Sequence, residues 1–320
     1  MTVLAVDGLA LSVVADLWPA AELEPIAAAH PTNSLPGWTT ALTGHTVDEH
    51  GVAGVVVKLC EGDATVTNLL THDGPLPGLP DGNVFRDVRL RGIPPFVIEN
   101  DMVGWRGSVT RALTAGATVL PGRAQFRGHP KTVREIVTGL EKDIVDVLSR
   151  SPGPCLVWAL VELDAWIHQV GYTGPVVETL TELGELAERL SSRGVDVVVH
   201  SDHGAVRTRH EPELAAGLDS LAGASSLGAG GAGRVRWLWP PASAEDRVVT
   251  RAERLFGSVA TVLGRSEYLT EGSPAWHRIG SVVIEAVDES FVLLDPSIMY
   301  EHGSRLPDEV LTPLAHWVSG

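Results

Sequence analysis

The chain has 320 residues, 44% of them hydrophobic, which is enough to bury the core of one large α/β domain. A formal charge of −16, from 24 basic against 40 acidic residues, excludes a nucleic-acid polymer as the main partner, because its phosphates would repel most of this surface. Two cysteines, Cys60 and Cys155, cannot build a disulfide framework, and no run of about eighteen apolar residues exists, so neither a stapled secreted fold nor a membrane-spanning helix is predicted.

The first predicted strand covers residues 3–6 and ends in Asp7, with no basic, cleavable leader before it, which points to a cytoplasmic protein. Residues 31–44 read Pro-Thr-Asn-Ser-Leu-Pro-Gly-Trp-Thr-Thr-Ala-Leu-Thr-Gly. Small hydroxyl residues ahead of an apolar helical stretch make an N-cap, and the free N–H groups of such a helix start also favour an anion. Glu49-His50-Gly51-Val52 follows. The next core strand is Pro95–Ile98, after which a locally basic stretch from Arg106 to Lys131 reads as a solvated face.

An amphipathic helix is predicted over 131–149, where Val133, Ile136, Val137, Leu140, Ile144 and Leu148 recur at three- and four-residue spacing. The apolar strand at 155–161 leads to Asp164, and Asp164-Ala-Trp-Ile-His168 sets an imidazole one helical turn after a carboxylate. That spacing fits two ligands of one metal ion, and it equally fits a helix-cap aspartate with a surface histidine. A second amphipathic helix covers 176–190, and a strand at 195–199 runs into Ser201-Asp202-His203-Gly204, where the glycine allows a sharp turn. The glycine-rich segment 223–233 reads as a flexible surface connection and not as a phosphate cradle, since no Lys-Ser/Thr pair follows it. Beyond it, 234–239 and 246–263 read as a strand and a helix of a small peripheral lobe, about 223–280, inside one domain spanning 1–320. His302-Gly303-Ser304 lies in a loop after a strand predicted at 290–294.

Alternating strands and helices predict a mostly parallel central sheet sandwiched by helices, with ligands gathering at the carboxyl ends of its strands. Three strands end in acid or in acid plus imidazole: Asp7, Asp164 and the Asp202-His203 pair. Brought to one sheet edge, these carboxylates would repel one another unless a cation lay among them.

The ordered set of Asp7, residues 31–44 with His50-Gly51, Asp164-x-x-x-His168, Ser201-Asp202-His203-Gly204 and His302-Gly303-Ser304 resembles the type I phosphodiesterase/nucleotide pyrophosphatase branch of the alkaline phosphatase superfamily. The likeness covers nearly the whole chain and extends to weaker segments at Thr67-Asn68-Leu69-Leu70, at Val84-Phe85-Arg86 and at 306–314. It implies an alkaline-phosphatase-like fold and a metal-dependent phosphoester hydrolase with Ser34 as nucleophile, a phosphoseryl intermediate and two divalent ions. It further implies that Asp7, Asp202, His203 and the Ser34 oxygen hold one ion, and Asp164, His168 and His302 the other. Zinc is the usual ion of that branch; mixed carboxylate and imidazole ligation suits Zn²⁺ independently, with Mn²⁺ or Fe as substitutes.

Diester-cleaving members carry an asparagine shortly after the His-Gly turn, where this chain has Val52-Ala53-Gly54-Val55. The oxyanion donors then fall to the backbone N–H groups of Leu35 and Asn33, with the Asn33 or Asn68 side chain as substitute. The alternatives are a phosphomonoesterase, a phosphonate or sulfate-ester hydrolase on the same bimetallic core, and a metal-binding homologue without turnover. The expected partner is a small organophosphate, with no nucleic-acid polymer and no membrane, and a homodimer is compatible with the sequence. His50 is expected to be a structural hydrogen-bonding residue. His30, His45, His72, His129, His200, His210, His277 and His316 are read as ordinary, and Trp38, Trp105 and Trp166 as core aromatics, one of which could stack on a substrate ring.

Overall fold

The computed structural model describes residues 1–101, 107–127 and 132–319. Trp105, His129 and the two ends of the basic stretch, Arg106 and Lys131, lie outside the described residues.

Seven strands form the central sheet: β1 (Thr2–Val6), β2 (Glu22–Ala27), β3 (Pro95–Ile98), β4 (Thr118–Leu120), β5 (Leu156–Val161), β6 (Val197–His200) and β7 (Leu311–Trp317). Their order is β2-β7-β6-β1-β5-β3-β4. β1 is parallel to both β5 and β6, with Val6 opposite Val161 and Ala5 opposite His200. β3 and β4 continue the parallel run, while β7 pairs antiparallel with β6 and β2. All six residues of β5 are buried, which is why it reads as an unbroken apolar run.

Helices cover both faces. α1 (Ser34–Thr43) sets Leu35, Trp38 and Leu42 against Ala5, Trp158 and Leu160. On the opposite face α2 (Val133–Arg150) and α4 (Pro175–Ser191) pack Ile136, Leu140, Leu180 and Leu183 against Leu4, Val6, Val157 and Val161. Each such buried side chain contributes roughly 1.5–3 kcal/mol through loss of apolar contact with water. α2 starts on a Thr132/Glu135 capping box and α4 on a proline in its first turn, both of which fix where the helix begins. The short α3 (Asp164–Val170) links β5 to α4. No helix among the described residues is long and apolar enough to cross a membrane.

A four-stranded antiparallel sheet, built from Ala229–Ala232, Val235–Leu238, Val282–Ala286 and Ala260–Gly264 in that order, packs against α5 (Glu245–Phe256) through Val248, Ala252 and Phe256. The reading of 223–233 as a flexible connection is corrected here, because Ala229–Ala232 is an edge strand paired with Val235–Leu238. Its glycines are set by packing: a Cβ on Gly230 would come within 2.2 Å of the Trp237 indole nitrogen, and Gly231 adopts φ +92° over the Val235 carbonyl.

Candidate metal centre

β1, β5 and β6 are adjacent and parallel, so the residues that follow them leave the sheet on the same edge. Asp7 follows β1, Asp164 follows β5 at the start of α3, and Asp202-His203 follows β6. The long loop before β7 returns His302 to that edge. Ser34 opens α1, with Asn33 as its extended N-cap residue and the first intrahelical bond running from Gly37 N–H to the Asn33 carbonyl at 2.9 Å. The N–H groups of the first turn, Leu35 among them, have no partner within the helix. α1 lies close against Asp202 because position 37 is glycine; a Cβ there would meet the Asp202 Cβ at 2.8 Å.

The structure brings Asp7, Ser34, Asp164, His168, Asp202, His203 and His302 together. The Ser34 hydroxyl donates to Asp7 Oδ1 at 3.3 Å, and its oxygen lies 3.2 Å from His203 Nε2. His203 Nε2 is 3.5 Å from Asp7 Oδ1 and 3.3 Å from Asp202 Oδ2. Asp164 Oδ2 lies 2.9 Å from His168 Nε2 and 3.8 Å from His302 Nε2. Among the described residues two sets have ligand atoms close enough to share an ion: Asp164, His168 and His302, and Asp7, Asp164 and His203. Asp164 thus serves both sets, while Asp202 stands beside the second, its Oδ1 taking the Gly8 N–H at 3.3 Å.

The three carboxylates are 0%, 6% and 2% exposed, in the order Asp7, Asp164, Asp202. Among the described residues none of them forms an ion pair with a lysine or arginine; their charged neighbours are imidazoles. Burial, with the Asp164 charge nearby, pushes the Asp7 carboxyl up to about 7 against the pull of the Trp38 hydrogen bond. Burial and the Asp7 and Asp164 charges push Asp202 well above the carboxylate range. Burial also opposes ionisation of Asp164, but the His168 and His302 imidazoles facing it hold its carboxyl well below the ordinary value. Asp164 Oδ1 and Asp202 Oδ2 are buried with no hydrogen-bond partner among the described residues. Buried, uncompensated carboxylate oxygens of this kind are what a divalent cation satisfies.

The imidazoles share one orientation. His168 Nδ1 meets the Tyr300 carbonyl at 2.7 Å, His203 Nδ1 the Gly204 carbonyl at 3.0 Å and His302 Nδ1 the Thr32 carbonyl at 2.7 Å. A carbonyl only accepts, so in each ring Nδ1 carries the proton, and in the neutral ring Nε2 keeps a free lone pair. All three Nε2 atoms point toward the carboxylates. Backbone carbonyls fixing the ring tautomer are the usual second layer of a metal site. His50 differs: its Nδ1 accepts from Val52 N–H at 3.0 Å and its Nε2 bonds the Thr40 hydroxyl at 3.0 Å, leaving no atom for a ligand.

Sequence reasoning passed over several residues of the site. Trp38 is buried and donates its indole N–H to Asp7 Oδ2 at 3.1 Å, so its ring is not available to stack on a substrate; this corrects that option for Trp38. Glu162, two residues before Asp164, is buried and pushed up to about 8 by burial against the pull of Arg127, whose Nε and Nη2 both bond it. Arg127, Phe126, Trp166, His168, Gln169 and Ser297 line a cleft of about 570 Å³ opening beside the centre. The acid at 162 had a signal in its spacing from Asp164; Arg127 and Trp38 had none beyond their neighbourhood. Asn68 is exposed, and its Oδ1 accepts the Leu70 N–H at 2.9 Å.

No protein-family model matches the sequence, and no curated protein matches it. Among solved structures, murine ectonucleotide pyrophosphatase/phosphodiesterase 5 aligns over 99% of this chain and 87% of its own, at 17% identity and a TM-score of 0.67. The human counterpart aligns over the same shares at 16% identity and a TM-score of 0.68. Phosphonoacetate hydrolase from Sinorhizobium meliloti 1021, solved with phosphonoacetate, aligns over 99% of this chain and 89% of its own, at 14% identity and a TM-score of 0.69. The alkaline-phosphatase-like fold expected from the motifs is therefore the fold of this chain.

Proposed function

We propose that this chain is a metal-dependent hydrolase of small phosphoesters in which Ser34 is the nucleophile. The observation that carries this reading is the convergence of three imidazole Nε2 atoms and three buried carboxylates, without lysine or arginine ion-pair partners among the described residues, around the hydroxyl that opens α1. Asp7, Asp202, His203 and the Ser34 oxygen would hold one divalent ion and Asp164, His168 and His302 another, with Zn²⁺ suited to this donor set and Mn²⁺ or Fe as substitutes. When bound, the ions supply the positive charge and Lewis acidity that make a serine oxygen nucleophilic and offset charge on the phosphoryl group.

The chain's own residues do the rest. The Asp7 and His203 contacts hold the Ser34 oxygen at the head of α1, where the unpaired N–H groups of the first turn favour a phosphoryl oxygen. Ser34 Oγ forms a bond to phosphorus and gives up its proton toward Asp7, while the leaving-group oxygen departs from the opposite side of phosphorus and takes a proton from solvent. Water then breaks the phosphoseryl Oγ–P bond, its oxygen joining phosphorus and one of its hydrogens passing to Oγ, Asp7 releases its proton to solvent, and the phosphoryl product leaves. The leaving group's organic portion is accommodated in the cleft beside His168.

A second reading, cleavage of a phosphonate C–P bond, draws support from the likeness to phosphonoacetate hydrolase and from the absent asparagine. A panel of bis-p-nitrophenyl phosphate, p-nitrophenyl phosphate, p-nitrophenyl sulfate and phosphonoacetate, each with and without chelator, tests both. Chelator-sensitive turnover of a phosphoester supports the first reading, and turnover of phosphonoacetate alone supports the second. Two bound metal equivalents with no turnover of any of them would leave a metal-binding homologue without turnover.

A further inference from the structure

His302 is the ligand furthest along the chain, and its loop is held from outside the central sheet. Thr32, two residues before Ser34 and completely buried, takes three bonds from or to that loop. Its carbonyl accepts from His302 Nδ1 at 2.7 Å, its hydroxyl donates to the Ser304 carbonyl at 2.8 Å, and the same oxygen accepts from Gly303 N–H at 2.9 Å. Ser304 is in turn held by Glu309, which accepts from its N–H at 3.0 Å and from its hydroxyl. Glu309 lies 3.3 Å from the fully buried Arg234 guanidinium, which also bonds the Thr208 hydroxyl at 3.1 Å and the Asp288 carbonyl at 2.7 Å. Arg234 N–H closes the circuit on the His302 carbonyl at 2.8 Å.

We infer that Thr32 is a positioning residue that locks the His302 loop to the segment carrying Ser34, its backbone carbonyl setting the ligand's ring orientation and its hydroxyl the loop's distance from the nucleophile. This rests on the metal-dependent reading above. The geometry has a specific consequence. The Thr32 carbonyl fixes which His302 nitrogen is free, but the Thr32 hydroxyl fixes where the loop carrying that ring sits. Removing only the hydroxyl therefore loosens the ion held by Asp164, His168 and His302 and leaves the Asp7–His203 side untouched.

The test compares wild type, Thr32→Val, Thr32→Ser and Ser304→Ala, each stripped with chelator and titrated with Zn²⁺ or with Co²⁺, whose visible spectrum reports ligand geometry. Wild type is expected to take two equivalents. Thr32→Val should bind one of them about 10–100-fold more weakly with an altered cobalt spectrum, as loss of a metal site's outer partners typically does, while the other keeps its affinity. Thr32→Ser, which retains the oxygen, should restore both. Ser304→Ala, which cuts only the hydroxyl link to Glu309, should weaken the same equivalent to a lesser degree, and it decides the matter if Thr32→Val does not fold. Two equivalents of unchanged affinity and spectrum in folded Thr32→Val, or in Ser304→Ala where Thr32→Val does not fold, overturn the inference. Wild-type protein that binds no metal would instead overturn the functional reading on which it rests.

Discussion

Two buried charged clusters meet at His302, and they are neutralised differently. In one, Arg234 and Glu309 are both 0% exposed and face each other at 3.3 Å. Thr208 and the Asp288 carbonyl accept from the terminal guanidinium nitrogens and Ser304 donates to Glu309, while Arg234 Nε has its counter-charge in Glu309 but no hydrogen bond among the described residues. The chain supplies that cluster's counter-charge itself. In the other, among the described residues, Asp7, Asp164 and Asp202 form ion pairs with imidazoles and with no lysine or arginine, and two of their oxygens have no hydrogen-bond partner. The same fold thus completes one cluster and leaves the other in need of positive charge. Burial alone does not identify a functional site; a surplus of one sign of charge inside the protein does.

The largest expected effect falls on chemistry rather than stability. Ser34→Ala should cut turnover of the best phosphoester in the panel by at least about 10³-fold, the scale at which losing a nucleophile acts, while the melting temperature stays near the wild-type value and the ion assigned to Asp164, His168 and His302 is retained. Retained turnover would remove Ser34 from its role. Next is the self-neutralised cluster: Arg234→Met strands the buried Glu309 carboxylate and should cost about 3–5 kcal/mol in urea unfolding, whereas Arg234→Met combined with Glu309→Leu should recover most of that loss. A double variant as weak as the single one would show that the pair is not a closed unit.

The three-carboxylate cluster should behave in the opposite way. Stripping the ions should lower stability by roughly 3–4 kcal/mol for each ion lost, relative to protein at 100 to 1,000 times the dissociation constant. In the stripped protein Asp202→Asn should raise stability by about 1 kcal/mol, because it relieves like-charge crowding, and with metal present it should lower stability. A substitution with the same sign in both states would mean that no cation balances these carboxylates.

Glu285 is the intermediate case and the smallest effect. It is buried, with the Arg305 guanidinium nitrogen 3.3 Å away and His30 Nε2 at 3.2 Å. Burial pushes its carboxyl up to about 7 despite Arg305. The folded state therefore favours the protonated acid, so its contribution to stability is complete below the ordinary carboxylate range and is lost as pH rises through about 7. Unfolding free energies at pH 5 and pH 8 should differ by roughly 1–3 kcal/mol from this group, and Glu285→Gln should flatten that difference; an unchanged slope would contradict it.

The fold, and the convergence of Asp7, Asp164 and Asp202-His203 on one sheet edge, could be read because the relevant signals are local, whereas Ser34 and His302 are singled out only through the family resemblance. An apolar β-branched run ending in an acid says where a strand stops, and parallel pairing of β1, β5 and β6 carries those tips to one edge without further information. The partners of these residues were not legible, because they come from distant parts of the chain. Trp38 reaches Asp7 across 31 positions, Thr32 reaches His302 across 270, and Arg127 reaches Glu162 across 35, none with a spacing that marks it. Residues 223–233 misled for a related reason: glycine content signals freedom, yet Gly230 is glycine because the indole of Trp237 lies over it.

The most direct test of the central claim is X-ray data collected on zinc-loaded crystals on both sides of the zinc absorption edge. Anomalous peaks are expected within coordination distance of His168 Nε2 and His302 Nε2, and between Asp7, His203 and the Ser34 oxygen. No peak at this edge of the sheet, in protein saturated with zinc, would contradict the account.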